Sequence, residues 1–149
     1  MVEPVTARDQ EVRALLDALT AELATAGYTP DQTFGYSAEQ LEQSHVHLVG
    51  ARVAGRLVGV AGLEVQGDGL GELKRFFVAP EQRGAGVADA LITALVAHAT
   101  AAGVQLLRLE TGDKQAAAQA FYRRHGFTPV PRFDPYTASA TSVCMQRQL

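Results

Sequence analysis

The chain has 149 residues, enough for one domain, 1–149, with a packed core. Its 13 Lys and Arg are dispersed among 16 Asp and Glu, for a net charge of −3, which argues against a nucleic-acid surface. No apolar run approaches the ~20 residues that span a bilayer, Met1-Val2-Glu3-Pro4 opens no signal pattern, and the single cysteine, Cys144, has no intrachain partner, so a cytoplasmic protein with no membrane partner is expected.

Residues 2–6 read as a short first strand. From Arg8 to Ala26 the apolar residues Val12, Leu15, Leu16, Leu19 and Leu23 share one stripe, which predicts an amphipathic helix ended by Gly27. A loop follows from Tyr28 to Gly35. Ser37 and Gln40 form a capping box that predicts a short helix to about Ser44. His45–Val53 and Leu57–Val65 are strand-like and are joined by a turn at Ala54-Gly55-Arg56. Gly59 and Gly62 inside the second strand point to a bulge or a close backbone approach.

Glycine-rich Gln66–Gly71 reads as a hairpin loop leading into an apolar strand, Glu72–Ala79, which Pro80 stops. These three strands are too closely connected for crossovers and predict an antiparallel meander. Period two puts Glu72, Lys74, Phe76 and Val78 on one strand face, with about 20 Å between Glu72 and Val78 at 3.3 Å per residue. Glu81-Gln82-Arg83-Gly84-Ala85-Gly86-Val87-Ala88 is a glycine loop, and Asp89–Gly103 has helical spacing in Leu91, Ile92, Leu95, Val96 and Ala99. Strand, glycine loop and helix in that order make an anion site, because unpaired amides and the helix dipole act together and Arg83 adds a positive charge. A phosphate-bearing ligand suits it.

Val104–Glu110 reads as a buried strand lying parallel to Glu72–Ala79 through a right-handed crossover. Gln115–His125 is a helix ended by Gly126, and Phe127–Phe133 and Thr141–Leu149 are the last strands. The whole predicts an α+β fold, a mixed, mostly antiparallel sheet with a splayed parallel strand pair and helices on both faces. His45 and His47 alternate like two ligands on a strand, but no third ligand has supporting spacing, so no metal is expected. His98 and His125 read as surface groups and Cys144 as a small packing residue.

The chain resembles the GNAT superfamily of acyl-CoA-dependent N-acyltransferases. The signature Q/R-x-x-G-x-G/A is met by Arg83, Gly84, Ala85, Gly86, Val87 and Ala88. A second, N-x-x-A-x-x-hydrophobic-Y-x-x-x-G-F, is met by Ala118, Phe121, Tyr122, Gly126 and Phe127, with Gln115 where asparagine is usual. Two motifs in order with a strand between them are a specific signal.

The resemblance implies an N-acetyltransferase that moves an acetyl group from acetyl-CoA to an amine of a small molecule or peptide in a ternary complex. The backbones of Arg83, Gly84, Ala85, Gly86, Val87 and Ala88 would hold the CoA diphosphate, with Gln115 near the pantetheine arm. Phe77 and Val78 would present main-chain groups to the pantetheine and the acetyl carbonyl, the Val78 N–H stabilising the oxyanion. Tyr122 would be the general acid toward the thiolate, and Glu72 the base, directly or through a water, with Glu110 a rival. Glu72 as a strand-end carboxylate paired with Lys74 or Arg75 is an equal reading. Phe34, Tyr36 and Tyr136, with Tyr28, are loop aromatics that either cap the core or wall the acceptor pocket. Arg75, Arg132 and Lys74 are available to a substrate carboxylate, and net acidity favours a cationic one. Homodimers are common in the family, and the C-terminal strands are candidates for such an interface. A non-catalytic acyl-CoA sensor on the same fold is an alternative. Rossmann-type dinucleotide binding fits less well, because Asp89 stands where the third glycine belongs.

Overall fold

The computed structural model describes residues 1–149. Its elements run β1 (Val2–Val5), α1 (Gln10–Thr25), α2 (Ala38–Gln43), β2 (His47–Val53), β3 (Arg56–Gly67), β4 (Leu70–Val78), α3 (Val87–Ala101), β5 (Leu106–Gly112), α4 (Ala116–Arg124), β6 (Thr128–Val130) and β7 (Ser142–Gln148). The strands make one sheet in the order β1-β2-β3-β4-β5-β7-β6. Only the β4–β5 pair is parallel. The expected mixed, mostly antiparallel sheet is thus present, and no helix is long and apolar enough to cross a membrane.

Each face of the sheet carries helices. On one face the α1 stripe of Val12, Leu15 and Leu16 packs with Leu41 of α2 against Leu48, Val60 and Phe77. On the other, Leu91, Ile92, Leu95 and Ala99 of α3 and Tyr122 of α4 pack against Val58, Ala61, Leu63, Leu73, Leu107 and Leu109. Leu91, Leu95 and Leu107 are wholly buried, each worth roughly 1.5–3 kcal/mol of transfer free energy. Gly59 lets α3 lie close: a Cβ there would sit 2.9 Å from Leu91 Cδ1 and 3.1 Å from Val87 Cγ1.

The structure revises four local readings. The loop expected over residues 66–71 is a tight hairpin whose turn is Asp68-Gly69, both at positive φ (55° and 75°), as a two-residue Asp-Gly turn requires. The strand expected over 127–133 is only Thr128–Val130: the Phe127 N–H is spent on Tyr122 O at the end of α4, at 3.0 Å, and Pro131 has no ladder donor. His45 lies before β2 at φ 51°, so it does not alternate with His47 on one strand; His47 instead stacks on His98 of α3, centroids 3.6 Å apart.

The fourth revision shapes the site. Lys74 pairs with Gly62 and Phe77 with Val60, so two β4 residues, Arg75 and Phe76, face one β3 residue, Ala61. This is a β-bulge, with Arg75 at φ 54°. The extra residue resets the alternation. Glu72, Lys74 and Phe77 share the α1 face, and Val78 turns to the α3 face, so Glu72 and Val78 do not share a face as period two alone predicted.

Candidate active site

The pairing of β4 with β5 is confined to the start of β4, ahead of the bulge. Leu70, Gly71 and Glu72 pair with Leu106, Leu107 and Arg108, and no ladder continues beyond them. β5 runs on to Gly112 against β7, so the two parallel strands diverge and a cleft opens between them. A cavity of about 660 Å³ occupies it, reaching from α1 and the Gln32–Gly35 segment to α4.

At one end of the cleft the chain leaves β4 through a 3-10 turn, Pro80–Gln82, and enters α3 through Gly84 (φ 82°) and Gly86 (φ 85°), the helix N-cap. Both conformations favour glycine. The amides of Gly84, Ala85, Gly86, Val87 and Ala88 donate to no backbone or side-chain acceptor, whereas Arg83 N–H closes the turn on Pro80 O at 3.3 Å. A run of unspent N–H groups at a helix N-terminus is what a diphosphate requires. Gly84, Gly86 and Ala88 line the cavity; Ala85 is exposed beside it, and the Val87 side chain is buried in the core. The Arg83 charge is partly engaged: Nη2 meets Glu22 of α1 at 2.8 Å and Nε donates to Val78 O at 3.0 Å. Sequence spacing held no sign of that tether.

Midway along the cleft, Ala79 N–H donates to Val58 O on β3 at 2.8 Å. Alternation therefore turns the Val78 N–H and C=O away from β3, toward the open side. Phe77 and Val78 line the cavity, as does Gln115, the α4 N-cap residue, whose side chain makes no capping bond.

Tyr122 projects from α4 into the cavity wall, among the rings of Phe76, Phe121 and Phe127 at centroid distances of 6.0, 5.4 and 5.8 Å. Burial, reinforced by the Glu110 charge, pushes its hydroxyl well above the ordinary phenol value, so it stays protonated and able to donate. A pair between His125 Nε2 and Asp89 Oδ1, 2.7 Å, ties the end of α4 to the first turn of α3. His125 is thus half-buried rather than a free surface group.

Glu110 lines the same cavity from β5 and accepts from Ser142 Oγ at 2.7 Å. Burial, with a further push from Glu72, raises its carboxyl to about 7, against opposing effects of Ser142 and Lys74. A carboxyl so placed exchanges a proton near neutrality.

Glu72 is placed differently. It is 2 % exposed, does not line the cavity, and has its oxygens engaged: Tyr136 OH donates to Oε2 at 2.6 Å, Lys74 Nζ sits 2.9 Å from the same oxygen, and Gln66 Nε2 donates to Oε1 at 3.0 Å. Tyr36 lies behind it, with Lys74 Nζ 4.3 Å from its ring centroid and its hydroxyl on Glu64 Oε2 at 3.0 Å. Tyr136 and Phe34, in edge contact at 5.0 Å, do face the cavity. Tyr28 also lines it, held by Asp113 Oδ1 at 3.0 Å and the Lys114 N–H at 2.7 Å. Ser142 and Gln66 were not legible as site residues, since each acts through a contact across strands. Burial pushes the Cys144 thiol up, and it packs in the core.

Known proteins carry the same architecture. The model of the Acetyltransferase (GNAT) family matches residues 13–127. An IAA acetyltransferase from Azospirillum brasilense is 35% identical over 112 residues, 74% of this chain and 73% of that protein. Among solved structures, a Klebsiella pneumoniae protein assigned as an acyl-CoA N-acyltransferase superposes with a TM-score of 0.86 and 31% identity over 100% of this chain and 97% of its own. The PaiA N-acetyltransferase from Thermoplasma acidophilum, in complex with coenzyme A, has a TM-score of 0.81 at 16% identity over 100% and 98% of the two chains, a likeness of fold alone.

Proposed function

The chain belongs to the GNAT family of acetyltransferases, and from that premise we propose that it moves an acetyl group from acetyl-CoA directly to the amine of a small molecule or peptide. The observation that carries this reading is one cleft with the unspent amides of Gly84–Ala88 at its end and two proton-handling groups, Glu110 and Tyr122, in its wall.

The residues fit the group. The amides of Gly84–Ala88 would hold the diphosphate, with no side chain at Gly84 or Gly86 to block it, and nothing lies within 4 Å of where their Cβ atoms would stand. Gln115 would meet the pantetheine arm. The thioester supplies an acyl group with a thiolate leaving group. The Val78 N–H would meet the negative charge developing on the acyl oxygen, stabilisation whose loss typically costs 10²–10³-fold in rate at comparable sites, as an order of magnitude.

We assign the base to Glu110 rather than Glu72. Glu110 faces the cavity and titrates near neutrality, whereas Glu72 has its oxygens occupied by Tyr136, Lys74 and Gln66. An acceptor ammonium would give a proton to the Glu110 carboxylate, and the neutral amine would then attack. The protonated Tyr122 hydroxyl would donate toward the departing sulfur. Phe34 and Tyr136 would wall the acceptor, and Glu72 would orient Tyr136.

The test is thiol release from acetyl-CoA with an amine panel. Release that depends on the amine supports the reading; tight CoA binding with no amine-dependent release across the panel overturns it in favour of a non-catalytic sensor.

A further inference from the structure

Three cleft-lining cations stand at or near the β4 end, and two of them are paired. Lys74 meets Glu72 at 2.9 Å and Arg83 meets Glu22 at 2.8 Å. Arg75 has no carboxylate partner. Its Nη2 donates to two neutral oxygens of α1, Leu16 O at 2.8 Å and Thr20 Oγ1 at 2.7 Å. Its Nε is buried with no hydrogen-bond partner. Its Nη1 rests against Gly35, where any Cβ would collide with it. Burial lowers the affinity of the guanidinium for its proton, and Asp17 opposes that only through space. The group nevertheless remains charged.

This arrangement is built. The bulge puts Arg75 at φ 54°, outside the normal alternation, and swings its side chain to the α1 side of the cleft. Gly35, at an ordinary φ, has a steric reason to be glycine, since only a missing Cβ admits the guanidinium. A desolvated cation with unspent donors is costly unless an anion meets it. Arg108 shares the orphaned Nε but offers no such site: its guanidinium lies 4.1 Å from the Phe133 ring centroid and outside the cleft.

We propose that Arg75 is the anion subsite of the acceptor pocket, so that the preferred acceptor is an amine bearing a carboxylate or similar oxyanion. This deepens, and rests on, the acetyl transfer proposed above. Arg75 lies across the bulge from Val78: it faces Ala61 and Val78 pairs with Gly59, two β3 residues on, about 7 Å at 3.3 Å per residue. The anion and the attacking amine are therefore set at opposite ends of a chain of several bonds, in the cavity that Phe34 and Tyr136 also line.

The experiment compares matched acceptors at saturating acetyl-CoA: 5-aminopentanoate against pentylamine, 4-(aminomethyl)benzoate against benzylamine, and 3-aminopropylphosphonate against propylamine. The expected result is a preference of about 10-fold to 100-fold in kcat/KM for the anionic member of at least one pair, the range of a charge-assisted hydrogen bond. Arg75→Gln is expected to bring that ratio toward one, through KM rather than kcat, and Arg75→Lys to keep part of it. The parent comparison stands whether or not these variants fold. Neutral and anionic members acetylated alike by the parent would sink this inference alone. So would an Arg75→Gln variant that keeps the ratio while its KM for acetyl-CoA rises, which moves Arg75 to the other substrate. A parent that acetylates none of the six amines sinks the activity, and the inference with it.

Discussion

Replacing Glu110 with glutamine separates catalysis from stability at one atom. The carboxyl is held in the cleft by burial, accepts from Ser142 Oγ, and titrates at about 7 against an ordinary 4.5. Its folded value lies above its unfolded one. Below 4.5 both states are protonated and the charge costs nothing. Between 4.5 and about 7 the unfolded chain loses the proton first, so native stability falls as pH rises, and above about 7 the whole penalty is present. At 1.36 kcal/mol per pH unit the limit is about 3 kcal/mol, and partial contact with water reduces the expected effect to about 1–2 kcal/mol. Glutamine keeps the acceptor for Ser142 and carries no charge. The Glu110→Gln variant should therefore melt about 2–8 °C higher than the parent at pH 8 and converge with it at pH 4. Its kcat/KM should fall by about 10²–10⁴-fold, and the rise in rate through pH 7 should disappear. Thermal melts at the two pH values and thiol-release rates across pH 5–9 measure both effects. An equal melting difference at every pH, or a variant that retains the acid limb, would refute the assignment.

Removing the phenol with Tyr122→Phe should lower kcat by about 10²-fold, with little change in the KM for acetyl-CoA, in steady-state thiol release; a parent-like kcat across the pH range would remove Tyr122 from proton transfer. Gly86 sits at φ 85° as the α3 N-cap, so Gly86→Ala should cost about 1–2 kcal/mol in denaturant melts and weaken CoA binding in calorimetry. Unchanged CoA affinity would mean that the loop does not hold the diphosphate. Gly59→Val brings a side chain against Leu91 and Val87, so about 1–3 kcal/mol of destabilisation is expected in the same melts, and a neutral result would contradict the close packing of α3 on β3.

Local chemistry written in adjacent residues was readable before the structure. The glycine loop, the helix behind it, the capping box at Ser37 and the position of Tyr122 on a helix all follow from short-range spacing. The splay of β4 from β5 also agrees with expectation, but the bulge that follows it was hidden. The bulge sits at Arg75 and Phe76, where no glycine signals a positive φ, and one extra residue there reverses the faces that period two assigned to Val78. The two carboxylates could not be ranked from sequence for a related reason. Glu72 and Glu110 both come from strands beside the cleft; the pairing of Glu72 with Lys74, two residues on, was one of the readings its spacing allowed, but only the packed fold adds Tyr136, 64 residues away, to the same oxygen and leaves Glu110 facing the cavity. The tether from Arg83 to Glu22, 61 residues apart, is likewise a product of folding. So is the collision that reserves position 35 for glycine beside Arg75.

The central claim is direct transfer within one cleft, and its most immediate measurement is the fate of an isotopically labelled acetyl group. Protein, acetyl-labelled acetyl-CoA and an accepted amine should yield labelled N-acetyl product and one free CoA thiol per turnover. Initial-velocity lines should intersect, and the protein should carry no label when the amine is left out. Label that accumulates on the protein without an amine, or acetyl-CoA that binds and is never turned over, would contradict the account.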